Sequence, residues 1–174
     1  MNWKSCLLPL ALPLSVLVIG SWRLAVEERS LAPQPVSLGS PQPPNYAQAP
    51  PGTYPTCQDD PELADLLLAE GRRLGITVSS GQPELPGKDA TYRAEHGRLG
   101  SITLKPRPMS PLVRCMLISH EFIHVLQHLQ GDLRGVPPLG WTTEHPDPIP
   151  QEAEAYGHQH RVGYVLSLLR ATPR

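Results

Sequence analysis

One stretch of this chain constrains its fold more than any other. It runs from Ser110-Pro111 to Gly131. Ser followed by Pro is a helix-opening pair, because the serine hydroxyl caps an orphan N–H and proline is tolerated at the first helical position. Glycine is a common helix stop. The spacing predicts a helix of roughly twenty residues. On its wheel, at 100° per residue, Arg114, His120, Glu121, His124, Gln127 and His128 gather in one polar wedge. Leu112, Cys115, Met116, Ile118, Phe122, Ile123, Val125, Leu126 and Leu129 cover most of the remainder. A surface helix has a wide charged face; this one is apolar nearly all round and must be buried. Burying three histidines and a glutamate is costly unless they find partners.

The wedge contains His120-Glu121-Phe122-Ile123-His124, the pattern H-E-x-x-H. Residues i and i+4 share one helix face, so His120 and His124 can grip one metal ion. Glu121 stands beside them without being a ligand, placed to act as general base. A catalytic zinc site takes three protein ligands and leaves one position open. The metzincin class, with its third histidine six residues on, is ruled out, because its continuation H-x-x-G-x-x-H would need Gly and His where Gln127 and Gln130 stand. A His or Glu on a later helix remains. Glu152 and Glu154 are the candidates, and the wheel of that helix does not separate them, since they flank its apolar stripe almost symmetrically.

Together, His120–His124 and Glu152-Ala153-Glu154-Ala155-Tyr156 resemble the zincin-fold metallopeptidases of gluzincin type, and short bacterial metallopeptidases in particular. The resemblance implies an α+β, zincin-like domain with an active-site helix, a glutamate helix and a small sheet. It implies Zn²⁺ held by His120, His124 and Glu152, with Glu154 the alternative, and peptide-bond hydrolysis with Glu121 as base. Where those families carry Asp or Asn to support a ligand histidine, this chain has Tyr156. That support must come from elsewhere. His128 is expected to bond a backbone carbonyl. His145, Tyr156, His158 and Tyr164 are candidate oxyanion donors, and Trp141 is expected to pack. Ser101–Lys105 is the candidate sheet edge for a substrate strand. The competing reading is a non-catalytic metal-binding or scaffold module.

The rest of the chain bounds its setting. It has 174 residues, enough for one domain with a tail. Residues 1–31 carry Lys4 followed by an apolar run to Ile19, which reads as a signal peptide or membrane anchor and implies a domain outside the cytoplasm. Many of the 22 prolines fall in residues 32–56, expected to be a disordered linker. The metallopeptidase domain is expected over residues 57–174. Within it, Asp60-Pro61 should open a helix carrying Leu63, Leu66, Leu67 and Leu74, residues 76–78, 91–93 and 100–104 should be strands, and a last helix should run from Ile149 to Arg170. A net charge of −1 and the absence of a basic stripe exclude nucleic acid as a partner. The expected partner is a protein or peptide substrate. Cys57 and Cys115 can form one disulfide, and the sequence does not decide whether they do.

Overall fold

The computed structural model describes residues 45–174; the expected leader and residues 32–44 of the expected linker lie outside this range. The described residues are mixed α and β: α1 (Leu63–Arg73), β1 (Thr77–Ser80), β2 (Ala90–Glu95), β3 (Arg98–Leu104), α2 (Pro111–Gln130), α3 (Pro150–His158) and α4 (Val162–Ala171).

Helix α2 forms where its punctuation predicts. The Ser110 hydroxyl accepts from Val113 N at 3.3 Å, Pro111 stands at the start, and Gly131 caps the end. From Cys115 onward it is buried almost throughout. Helix α1 begins two residues later than Asp60-Pro61 suggested, because Asp60 first closes a turn by accepting from Glu62 N at 3.1 Å. Its inner face is Ala64, Leu67, Leu68 and Gly71, a 3–4 spacing, whereas Leu66 is 43% exposed. Gly71 allows close packing against α2, since a Cβ there would lie 2.6 Å from Phe122 Cζ.

The sheet has the order β1-β3-β2. β2 and β3 form an antiparallel hairpin through Gly97, whose φ of 79° suits glycine. β1 adds parallel to the far side of β3. The expectation that Ser101–Lys105 is an edge is therefore corrected. β3 is the central strand and holds partners on both sides, and β2, packed against α2, is the edge beside it.

The last helix is broken, not continuous. Cys57 N donates to His160 O at 2.8 Å and Gly163 N donates to Pro55 O at 3.1 Å. The incoming chain thus takes backbone groups that a continuous helix would use itself. A Cβ on Gly163 would meet Pro55 O at 2.7 Å, so glycine is needed at this crossing.

Residues 45–56 also depart from the expected disordered linker: they lie along the domain and belong to its fold. An extended Pro-rich segment makes no internal hydrogen bonds, so its carbonyls are free to accept. Trp141 Nε1 donates to Tyr46 O at 2.7 Å, Tyr164 Oη donates to Ala47 O, and Arg161 Nη2 donates to Ala49 O at 2.5 Å. Tyr46 is buried in the core. Cys57 and Cys115 are joined in a disulfide, Cα atoms 5.7 Å apart, which ties this segment to α2. Among the described residues, no helix is long and apolar enough to cross a membrane.

Candidate metal centre

His120, His124 and Glu152 converge, one ligand atom from each lying within 4.8 Å of the others, and they could hold a metal ion. The two histidines come from successive turns of α2, and Glu152 from the first turn of α3. His120 Nε2 and His124 Nε2 are 3.1 Å apart. Glu152 Oε2 is 3.5 Å from His120 Nε2 and Oε1 is 3.3 Å from His124 Nε2. Ligands bound tetrahedrally at 2.0–2.2 Å stand about 3.3–3.6 Å apart; both histidine–carboxylate separations lie in that range, each to a different carboxylate oxygen, and the two histidine nitrogens are slightly closer. Glu152 Oε2 is buried with no hydrogen-bond partner among the described residues, as expected of a metal-facing lone pair. The donor set and the orphaned atom fit a divalent cation.

The charges agree. The close approach of His120 and then of His124 holds the Glu152 carboxyl far below the usual carboxylate range. Burial alone would lower His124, but Glu152, Glu121 and Gln127 outweigh it and the net shift is upward. Two imidazoles and a carboxylate crowded this way are coupled electrostatically, and a bound cation would replace the protons that couple them.

Glu154, the alternative ligand, is used differently. It is 2% exposed and accepts three hydrogen bonds: from Gln127 Nε2 at 2.7 Å, Leu139 N at 2.8 Å and Trp141 N at 2.7 Å. Gln127 Nε2 also donates to Gln151 O at 3.0 Å, and Gln127 Oε1 lies 2.7 Å from His124 Nδ1. With its amide nitrogen spent on two acceptors, the Gln127 oxygen receives the His124 Nδ1–H, and Nε2 of His124 is left with its lone pair toward the cluster. The support missing at Tyr156 is thus supplied to His124 by Gln127 and Glu154.

Glu121 is 4% exposed, and burial raises its carboxyl above the ordinary range. Its Oε2 accepts from Tyr92 N of edge strand β2 at 2.6 Å. His128 is buried too; its Nδ1 pairs with the Tyr92 hydroxyl at 2.8 Å, and a backbone hydrogen bond to Leu133 matches the expected carbonyl partner. That hydroxyl accepts from Gly100 N at 3.2 Å, which leaves its proton for His128. Burial pushes the Tyr92 phenol up to about 12 and pulls His128 down.

Of the four candidate oxyanion donors, only Tyr156 lines the cleft, with its ring 4.4 Å from that of His120. His145 stacks on the Tyr156 ring at 4.9 Å. His158 Nε2 bonds Thr142 O at 2.9 Å, and Tyr164 is engaged with Ala47. Trp141 packs against His158 and Tyr164, as expected of a packing residue. The cleft, about 230 Å³, is also lined by Lys88, which the sequence reading missed. Nothing local marks it, because its partner Tyr156 lies 68 residues away in sequence. Gln127 could have been found: it shares the polar wedge one turn beyond His124.

Comparison with protein-family models, with curated proteins and with solved structures returned no match.

Proposed function

We propose that this chain is a zincin-type, zinc-dependent peptidase that acts on protein or peptide substrates outside the cytoplasm. The observation that carries the reading is the near-tetrahedral spacing of His120, His124 and Glu152 with Glu121 beside them in the same cleft. Two histidines and a carboxylate are a donor set of catalytic zinc sites. Zinc bound there would supply Lewis acidity and lower the pKa of a coordinated water toward about 7.

The residues divide the remaining work. Glu121 takes the proton of the attacking water and passes it to the departing amine. Its burial makes the carboxylate a stronger base than an exposed one, and the Tyr92 N–H fixes its orientation. Ala90, Thr91 and Tyr92 line the cleft, so a substrate strand would lie along edge β2. The Cys57–Cys115 disulfide supports an oxidising compartment, in keeping with the leader.

The Glu121→Gln variant tests the reading. It should bind zinc as the parent does while cleavage of an unstructured protein such as casein falls by at least about a hundredfold. Undiminished cleavage would overturn the mechanism. Parent protein that binds zinc yet never cleaves would favour the scaffold alternative.

A further inference from the structure

Lys88 stands just before β2, in a loop whose backbone is pinned. Lys88 N donates to Leu85 O at 3.3 Å, and Asp89 O accepts from Lys105 N at 2.8 Å. The Asp89 carboxylate is committed to Arg107 and Lys105, so it does not capture the neighbouring ammonium. Lys88 Nζ instead reaches over the cleft and donates to Tyr156 Oη at 2.9 Å, with Glu152 Oε2 3.9 Å away.

We propose that Lys88 and the Tyr156 hydroxyl form an anion subsite beside the His120–His124–Glu152 cluster, which takes the oxyanion of a tetrahedral acyl centre. The proposal rests on the peptidase reading above. Three points carry it. Lysine has only donors, so in the Lys88–Tyr156 bond the phenol oxygen is the acceptor and its proton remains free to donate elsewhere. An ammonium and a hydroxyl therefore stand together in the lining of the same cleft as His120, His124 and Glu152. Lastly, a lysine whose role was to neutralise Glu152 would close to hydrogen-bond distance on that carboxylate; this one stands off at 3.9 Å and bonds the phenol.

Proximity to Glu152 also selects the ligand. A residue that reads the terminal carboxylate of a substrate stands one residue beyond the reacting carbonyl, roughly 3.3–3.6 Å further along the chain. Lys88 Nζ, only 3.9 Å from Glu152 Oε2, is near enough to the cluster to reach the reacting oxygen instead. During hydrolysis the water oxygen bonds the carbonyl carbon, and its released proton goes to Glu121. The carbonyl π pair moves onto the oxygen, where Lys88 and Tyr156 donate to it. As the pair returns, the C–N bond breaks and the amine leaves with the proton from Glu121. Preorganised donors at that oxygen act on the transition state more than on the bound substrate.

The test needs no substrate. Inorganic phosphate, a tetrahedral anion, is titrated into the zinc-loaded full-length chain by calorimetry, and zinc affinity is measured separately by competition with a chelating dye. Lys88→Gln should weaken phosphate binding about tenfold and Tyr156→Phe about threefold, with zinc affinity held within about threefold of the parent. If Lys88→Gln takes up zinc and binds phosphate as tightly as the parent, or if the zinc-loaded parent binds no phosphate, the subsite is refuted while the metal reading stands. If the parent takes up no zinc, the metal reading itself fails and the subsite falls with it.

Discussion

Replacing Glu154 by alanine separates the two glutamates that the sequence left tied. In the structure Glu154 is the sole acceptor for Leu139 N and Trp141 N, and it shares Gln127 Nε2 with Gln151 O. Removing the carboxylate orphans one buried and one half-buried backbone donor and half-satisfies a third. A buried donor without a partner costs about 1–3 kcal/mol, so two imply at most about 2–6 kcal/mol, with the half-buried Leu139 N, water entry and loop relaxation pulling toward the low end. We expect a loss of about 3 kcal/mol, a large part of a stability of about 5–15 kcal/mol. Gln127 would then be free to turn and His124 would lose its orientation, which should weaken metal affinity by about 10–100-fold. Glu152→Ala should behave in the opposite way, with little change in unfolding of the metal-free protein and zinc binding nearly abolished. Urea denaturation in the presence of chelator, read by tryptophan fluorescence, measures the first quantity; dye competition measures the second. Glu154→Ala unfolding within 0.5 kcal/mol of the parent, on the order of a harmless surface change, would refute the reasoning. So would Glu154→Ala losing more zinc affinity than Glu152→Ala.

Two further outcomes follow from the same structure. Reduction of Cys57–Cys115, which spans a sequence separation of 58, should lower stability by about 4 kcal/mol on loop entropy, measured as the shift in urea midpoint with and without reductant; no shift would contradict it. His128 should make stability fall with acid. Its folded pKa is depressed by burial below the unfolded value of about 6.5, so only the unfolded chain takes up the proton in that window. The stability is fully present above about pH 6.5 and declines as pH falls toward the folded pKa. His128→Gln should therefore show a flatter stability difference between pH 7.5 and 5.5 than the parent, and an equal slope in both would count against a buried neutral imidazole.

What the sequence disclosed was what short-range chemistry determines. The bounds of α2 were legible because Ser110, Pro111 and Gly131 act on their immediate neighbours. The His120–His124 pair was legible because helical periodicity fixes its geometry. The break between α3 and α4 was hidden, since Pro55 and Cys57 cause it from the far end of the described chain. Glu152 and Glu154 could not be ranked on a wheel for the same reason: the amides of Leu139 and Trp141 that claim Glu154 belong to a loop whose path the wheel does not contain. Composition misplaced the start of the fold. It registered that residues 45–56 cannot make a core, but not that Trp141, Arg161 and Tyr164 would supply donors to their carbonyls.

That docked segment has a mechanical meaning. A pull from the N-terminal side would load its attachments one at a time, first at Tyr46, held by core packing and a hydrogen bond, then at Ala47 and Ala49, each held by a hydrogen bond that can peel and re-form. At Cys57 peeling stops, because the next link is covalent and leads to Cys115. Cys115 and His120 share one helix, so tension beyond that point would be delivered to the scaffold of the candidate metal site. Under load the segment would act as a fuse ahead of a rigid joint: weak tension would be spent on bonds that recover, and only strong tension would reach the histidines.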